Sequence, residues 1–165
     1  MSEQETPENL DRSERGQALA LKLWVVLSRA HNAIAAHAQA DVARHGLTLA
    51  EFGVLEALYH KGPMLLGEIQ RRILVSSGGI TYLVDRLEEK GLVRRQPCTV
   101  DRRACYAVLT PEGEAVVQKV FPAHARCLER VLSGLNEEEQ RQAVDLLRRL
   151  GLRAAELGGC KEEVS

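Results

Sequence analysis

Residues 68–110 read EIQRRILVSSGGITYLVDRLEEKGLVRRQPCTVDRRACYAVLT, and this stretch decides the fold. A short helix and a turn come first, and an amphipathic second helix follows over about residues 76–90. In that second helix Ile80, Val84 and Leu87 recur at i, i+4 and i+7, so they share one buried face. A glycine directly after the helix ends it. The pattern therefore predicts two consecutive helices joined by a turn.

Two short strands follow that glycine, at residues 92–95 and 104–109. Pro97 and Asp101 lie in the loop between them, and this loop is too long for a tight turn. The strands therefore form a hairpin with a protruding wing. A helix, a turn, a helix and a wing in this order predict a winged helix-turn-helix, a device that reads double-stranded DNA.

The charge of the chain is distributed unevenly, although its formal net charge is only −1. Residues 65–110 contain eight basic and five acidic side chains, so this segment carries +3. The remaining 14 basic and 18 acidic side chains carry −4. A basic module on an acidic body favours nucleic-acid binding through one face.

The predicted fold is mainly α-helical with a small β-hairpin wing, and it forms a winged helix-turn-helix within a helical homodimer. The first helix is longer than one winged domain needs to cover itself, which favours a subunit interface over a plain core helix. The chain then divides into a flexible acidic arm at 1–13, an N-terminal dimerisation helix at 14–47, the winged helix-turn-helix at 48–110, C-terminal dimerisation helices at 111–158, and a tail at 159–165.

Several classes of protein and site are not expected from this sequence. No apolar run reaches the ~18 residues of a membrane span, and the polar start lacks the apolar core of a signal peptide. We therefore expect a cytoplasmic protein without a membrane partner. The four cysteines have no paired metal spacing, so neither a metal nor another cofactor is expected. No Gly-rich phosphate loop, nucleophile elbow or His/Glu metal motif indicates an enzyme.

Three motifs resemble the MarR family of bacterial transcription regulators: SGGITYLVDRLEEKGLVRR at 77–95, DRR at 101–103 and LTPEG at 109–113. Each motif is weak alone, but their order and spacing together are specific, and the resemblance extends over nearly the whole chain. It implies a triangular homodimer whose base is built by the N- and C-terminal helices. A dimer of this kind predicts a palindromic DNA site with half-sites about one helical turn (~10 bp) apart.

The resemblance also implies which residues of the recognition helix bind DNA. Those expected at the major groove are Ser76, Ser77, Gly78, Thr81 and Tyr82, with Arg86 near a phosphate. Threonine and tyrosine hydroxyls can bond base edges. The paired glycines in the first turn have two explanations, which are a tolerated weakness at a frayed end and close approach of the backbone to DNA.

In the wing, the resemblance places Arg103 in the minor groove and gives Asp101 the task of orienting it. Arginine suits a narrow, electronegative minor groove, and a neighbouring carboxylate can hold its guanidinium in advance. The alternative for Asp101 and Arg103 is an ordinary solvated turn pair. Arg94, Arg95 and Arg102 are expected to contact phosphates, which sets affinity without setting sequence.

The signal that controls this regulator has two candidates. The resemblance implies a repressor that a small phenolic or aromatic compound releases from DNA. Alternatively, QPCTVDRR at 96–103 resembles a subgroup of the family linked to quinone-type electrophiles, and the arginines near Cys98 favour its reactive thiolate. Cys98 can also be an unreactive loop residue. A third class, a winged helix that binds only protein, fits the basic wing less well.

Overall fold

The computed structural model describes residues 7–73, 77–98 and 104–157. Within these ranges the chain is mainly helical, with a small antiparallel sheet, which confirms the predicted fold class. In chain order the elements are α1 (Pro7–Ala43), α2 (Leu49–Lys61), β1 (Met64–Leu65), α3 (Leu66–Ile73), α4 (Ser77–Glu89), β2 (Val93–Pro97), β3 (Cys105–Leu109), α5 (Pro111–Val131) and α6 (Glu137–Glu156).

Helix α1 begins earlier than the sequence analysis placed it. Residues 7–13, assigned to a flexible arm, are helical from Pro7 onward, while residues 1–6 lie outside the described part of the chain. Proline is well suited to the first helical position, because the amide hydrogen that it lacks would have no partner there. The helix ends near Gly46, whose φ of 71° is a conformation that glycine adopts without steric cost.

Helix α2 is capped as its sequence predicts. The Glu51 amide donates to the Thr48 hydroxyl at 3.1 Å, and the Thr48 amide donates to the Glu51 carboxylate at 2.8 Å. This reciprocal pair is a capping box. Phe52, Leu55 and Leu58 are buried along one side of the helix and join the core of the molecule.

The sheet contains one strand more than the predicted hairpin. The two residues of β1 pair with β3, so the strand order is β1-β3-β2. Ala107 lies in the middle of this order, opposite Met64 on one side and Arg95 on the other. A strand of two residues has no periodicity of its own, and only its pairing with a distant strand defines it.

The buried side of α4 is the predicted one, since Ile80, Val84 and Leu87 are at most 3% exposed. The helix ends in a Schellman motif. The Gly91 amide donates to the Glu88 carbonyl at 2.8 Å, and the Leu92 amide donates to the Leu87 carbonyl at 2.9 Å. This compact ending leads straight into β2, so the recognition helix and the hairpin are joined by a short, hydrogen-bonded link.

The start of α5 packs against that link. The Thr110 hydroxyl donates to the Gly91 carbonyl at 2.7 Å and accepts from the Gly113 amide at 3.0 Å. A side chain at Gly113 would overlap the carbonyl oxygen of Leu92, so this position requires glycine. The LTPEG motif therefore packs against the end of the hairpin at which β2 begins and β3 ends.

The chain forms two compact units, Met1–Leu128 and Glu129–Ser165. The first contains the core and the sheet, and its helix α1 exposes Leu23, Trp24 and Val26 by 52%, 66% and 55%. In the second, Asn136 and Glu139 form the predicted capping box of α6. This helix buries no residue within the chain.

Candidate nucleic-acid interface

The outer side of α4 carries the predicted base-reading residues. Gly78, Thr81, Tyr82 and Arg86 are all exposed, opposite the buried apolar stripe, and Tyr82 is exposed by 63%. Arg86 pairs with Glu89 at 3.0 Å along the helix surface. Ser77 begins the helix, and Ser76 lies outside the described residues. The outer side of the helix therefore exposes two hydroxyl-bearing side chains, Thr81 and Tyr82.

Gly78 is not required by the internal packing of the chain. A Cβ atom at this position would meet nothing within 4 Å, and its φ lies outside the left-handed range that favours glycine. An alanine would therefore fit and would improve the helix propensity by ~1 kcal/mol. Neither the packing among the described residues nor the backbone conformation requires a glycine at this position.

Arg94 and Arg95 are neighbours on β2, but their environments differ. Arg94 is exposed, and its side chain makes no ion pair with any residue that the structure describes. The Arg95 side chain is only 27% exposed and pairs with Asp85 at 2.7 Å. It also pairs with Glu88, while a second guanidinium nitrogen donates to the Thr81 carbonyl at 3.3 Å.

The carboxylates around Arg95 dominate its electrostatics. Burial lowers the pKa of Arg95, but hydrogen bonds and charges from Asp85 and Glu88 outweigh that effect and raise it above its ordinary value. The Arg95 backbone amide also donates to Glu88, at 2.7 Å. Arg95 was predicted to contact phosphate, and in the structure its guanidinium has three partners on α4. Sequence analysis missed these contacts.

A second cation of the module is also engaged inside the molecule. Lys90, directly after α4, donates to both carboxylate oxygens of Glu51 and to the Gly46 carbonyl, each at 2.8 Å. The Glu51 side chain is only 4% exposed. Burial raises the pKa of Glu51, but hydrogen bonds from Lys90 and Thr48 lower it below its ordinary value. Lys90 thus ties the end of α4 to the start of α2.

Three more cations, two of them within the basic module, were not assigned to DNA from the sequence. Lys61, Arg71 and Arg72 line a surface groove of about 510 Å³ beside α3, together with Glu68. Within the described ranges, none of the three forms an ion pair. They therefore remain available to an anionic partner.

The wing is described only up to its base. Asp101, Arg102 and Arg103 lie outside the described residues. Cys98 is half-buried, and its amide donates to the Ala104 carbonyl at 3.1 Å, next to the last rung of the hairpin. Cys105 lies opposite Pro97 in that rung. Because side chains alternate along a strand, Cys98 and Cys105 point to opposite faces of the hairpin.

A buried polar pair lies behind the module, between α1 and α5. His124 Nδ1 lies 3.0 Å from the Asp41 carboxylate, and Arg44 pairs with the same carboxylate. Burial raises the pKa of Asp41, but hydrogen bonds from His124 and Arg44 lower it below its ordinary value. The ring of Phe52 meets His124 edge-on, with centroids 5.1 Å apart.

A cavity of about 310 Å³ opens beside this pair. Its walls combine apolar and aromatic side chains with His124 and one carboxylate, and they include Leu49, Phe52, Glu56, Phe121 and Leu128. A cavity of this size and lining is suited to a small planar molecule.

The described part of the chain has neither a membrane-spanning helix nor a cluster of metal-binding side chains. None of its helices is both long and apolar enough to cross a membrane. It also contains no group of three or more His, Cys, Asp or Glu side chains arranged to hold a metal ion.

Comparison with known proteins agrees with this geometry. The family model of the MarR family matches residues 45–104. The HTH-type transcriptional regulator MhqR of Bacillus subtilis (strain 168) is 44% identical over 135 residues, which cover 82% of this chain and 93% of that protein. This relative is a transcriptional regulator and not an enzyme.

Solved structures show the same architecture. The structure that addresses regulation of the DNA binding of Bordetella bronchiseptica BpsR by 6-hydroxynicotinic acid is 28% identical, with a TM-score of 0.73, and the match covers 79% of this chain and 98% of that chain. Overoxidized AbfR bound to DNA is 25% identical, with a TM-score of 0.71 and coverage of 86% and 98%. From its sequence relatives, its winged helix and these structures, the chain belongs to the MarR family of DNA-binding transcriptional regulators.

Proposed function

We propose that this protein is a sequence-specific repressor that binds a palindromic DNA operator as a homodimer. The outer face of α4 is the observation that carries the proposal. Gly78, Thr81 and Tyr82 are exposed there over a fully buried stripe, and the exposed Arg94 stands on the adjoining hairpin. Hydroxyl groups and the backbone of a glycine can hydrogen-bond to base edges, while a guanidinium without an ion partner can bind a phosphate.

The homodimer is supported by the apolar surface that the chain leaves uncovered. Helix α1 exposes Trp24 and its leucine and valine neighbours, and α6 exposes Val144, Leu147 and Leu150 by 52%, 50% and 41%. Clusters of exposed apolar side chains, as on each of these two helices, mark interaction sites. A second copy of the chain supplies an equally apolar partner, and a two-fold dimer matches a palindromic operator.

The DNA contacts then divide by role. Base edges are assigned to Ser76, Ser77, Gly78, Thr81 and Tyr82, phosphates to Arg86, Arg94 and Arg102, and the minor groove to Arg103 oriented by Asp101. Four of these residues lie outside the described ranges, and their roles rest on the resemblance alone: Ser76, Asp101, Arg102 and Arg103. Phosphate contacts give the salt-dependent part of affinity, and the α4 contacts give the sequence preference.

A small phenolic or aromatic compound is proposed as the releasing signal. The cavity beside His124 has aromatic walls at Phe52 and Phe121 and polar groups at His124 and Glu56, which suits a hydroxylated ring. The regulation of BpsR by a hydroxylated aromatic acid supports this kind of ligand. A molecule that bonds His124 would compete with Asp41 and disturb the junction of α1, α2 and α5.

The second candidate signal is an oxidant or electrophile that acts through Cys98. This thiol lies at the described end of β2, beside the hydrogen bond to Ala104, so an adduct there would disrupt the base of the wing. The overoxidized state of AbfR supports oxidative chemistry in a related structure. No disulfide with Cys105 is part of this proposal, since the two thiols face opposite sides of the hairpin.

The test begins with in vitro selection of duplexes from a random pool by the purified protein. We expect an enriched palindrome with half-sites about 10 bp apart. Fluorescence anisotropy on that duplex is then measured during titration with 6-hydroxynicotinic acid and, separately, with benzoquinone. Release by the acid in both wild type and Cys98→Ser supports the cavity, whereas release by the quinone in wild type alone supports Cys98. Failure to enrich any duplex contradicts the proposed function.

A further inference from the structure

Arg95 stands in one of the two rungs of the sheet that cross all three strands. It lies opposite Ala107, which in turn lies opposite Met64. Ala107 is fully buried, so this rung is the packed centre of the sheet. Any group that fixes Arg95 therefore fixes the base of the whole hairpin and not only the β2 strand.

The partners of Arg95 all belong to α4. Asp85 accepts at 2.7 Å, the Thr81 carbonyl at 3.3 Å, and Glu88 accepts from both the guanidinium and the backbone amide. These residues span more than one turn of the recognition helix, from its exposed face to its end. Both terminal nitrogens of the guanidinium are engaged, and the two carboxylates more than balance its charge.

We propose that Arg95 is a positioning residue of the DNA-reading surface, which locks the recognition helix to the wing and does not bind phosphate. Arg94 alone of this pair is available to DNA. The fixed angle between α4 and the hairpin lets the helix enter the major groove while the wing lies along the backbone. The inference rests on the proposed DNA-binding function and changes the role that the sequence gave to Arg95.

The first test removes the carboxylates and keeps the arginine. In Asp85→Ala/Glu88→Ala the recognition helix loses two negative charges and gains two strong helix formers. If Arg95 binds phosphate, the freed guanidinium and the more positive surface strengthen binding to every duplex. If Arg95 positions the helix, binding to the selected duplex weakens although the surface has become more positive. The two roles of Arg95 therefore predict changes of opposite sign in the affinity for the selected duplex.

We expect about a tenfold loss of affinity for the selected duplex, which is comparable to the effect of one mismatched base pair in a specific site. Affinity for a random duplex of the same length is expected to stay equal or to rise. Unchanged or tighter binding to the selected duplex overturns the proposal. Thermal unfolding of the variant shows whether the fold is intact.

The second test is Arg95→Lys, with Arg94→Lys as its matched control one residue away. Lysine keeps the charge but cannot bridge two carboxylates and a carbonyl. We expect Arg95→Lys to lose about tenfold for the selected duplex with an unchanged salt slope, and Arg94→Lys to lose less than about threefold. The proposal is overturned if the two lysine variants lose the same affinity for the selected duplex. If the double alanine variant fails to fold, the comparison of the lysine variants alone tests the proposal.

Amide hydrogen exchange separates this inference from the proposed function, because it requires no DNA. In Arg95→Lys we expect faster exchange in β2 and at the end of α4, with α5 unchanged. If no duplex can be selected and this change still occurs, the proposed function fails while the link between helix and hairpin stands. If exchange is unchanged, Arg95 does not hold the two together.

Discussion

Replacing Lys90 with methionine is expected to destabilise the protein by about 2 kcal/mol. Methionine keeps most of the aliphatic stem but removes the ammonium group that three acceptors share at 2.8 Å. Glu51 is then left as a carboxylate with a side chain only 4% exposed, and the Thr48 amide is its remaining donor among the described residues. The loss therefore comes from an uncompensated buried charge.

The magnitude follows from the burial of the two partners. Removing one member of a fully buried ion pair costs ~3–5 kcal/mol. The Lys90 side chain is 27% exposed, so solvent already screens part of the attraction, and the Thr48 amide continues to bond Glu51. These two corrections reduce the expected cost to about 2 kcal/mol. Arg94→Met, at an exposed cation without an ion partner among the described residues, should cost less than about 0.5 kcal/mol.

The pH dependence gives the prediction a second readout. The pKa of Glu51 is lowered in the folded state, so its carboxylate contributes stability that is present above its ordinary pKa of 4.5. That stability is lost as the pH falls through the lower, folded pKa. In Lys90→Met the lowering is smaller, so the difference between variant and wild type is greatest at neutral pH. The difference should narrow below about pH 4.5, as the carboxyl group is protonated in both proteins.

The assay is urea denaturation followed by circular dichroism at pH 7 and pH 4. Wild type and variants are compared at one protomer concentration, because the stability of a dimer depends on it. Lys90→Met/Glu51→Gln is the rescue variant, since it removes the unpaired charge. A loss below about 0.5 kcal/mol at pH 7, or the same loss at both pH values, would refute the electrostatic reasoning.

Three other outcomes are expected. Arg94→Ala should lower the salt slope of binding to the selected duplex by about one phosphate contact, and an unchanged slope would remove Arg94 from the interface. Trp24→Glu should shift the protein from dimer to monomer in sedimentation, because a charge enters the exposed apolar face of α1. A dimer that persists in this variant would exclude that face from the dimer interface. His124→Phe should cost ~1–3 kcal/mol in urea denaturation, since Asp41 loses its buried partner, and a smaller loss would mean that Arg44 suffices.

Sequence reasoning succeeded where structure is determined by neighbours three or four residues apart. The capping boxes of Thr48 with Glu51 and of Asn136 with Glu139 can be read from the sequence, because each requires only its own helix start. The buried stripe of α4 formed for the same reason, since its 3.6-residue period is a local property. The LTPEG motif was recognised but not explained, and its glycine turned out to be required by contact with Leu92, 21 positions earlier in the chain.

The contacts that sequence reasoning did not predict depend on distant partners. Lys90 bonds Glu51 39 positions away, and nothing near either residue in the sequence indicates the other. Strand β1 exists only because β3 passes beside it. For Arg95 a signal was present and was not used. On a strand that alternates, Arg95 shares a face with the buried Val93, and Arg94 points away from it.

This alternation changes how the charge of the module is understood. Counting side chains treats every arginine and lysine as equally available, and it gave the module +3. The structure removes Lys90 and Arg95 from the eight cations that were counted, because both pair with carboxylates inside the molecule, and it ties Arg86 to Glu89. Among the described residues of the module, the cations without an ion pair are then Arg94 on the hairpin and Arg71 and Arg72 on α3. In the proposed complex, the electrostatic attraction to DNA would arise at these positions, and the uncharged side chains of α4 would select sequence.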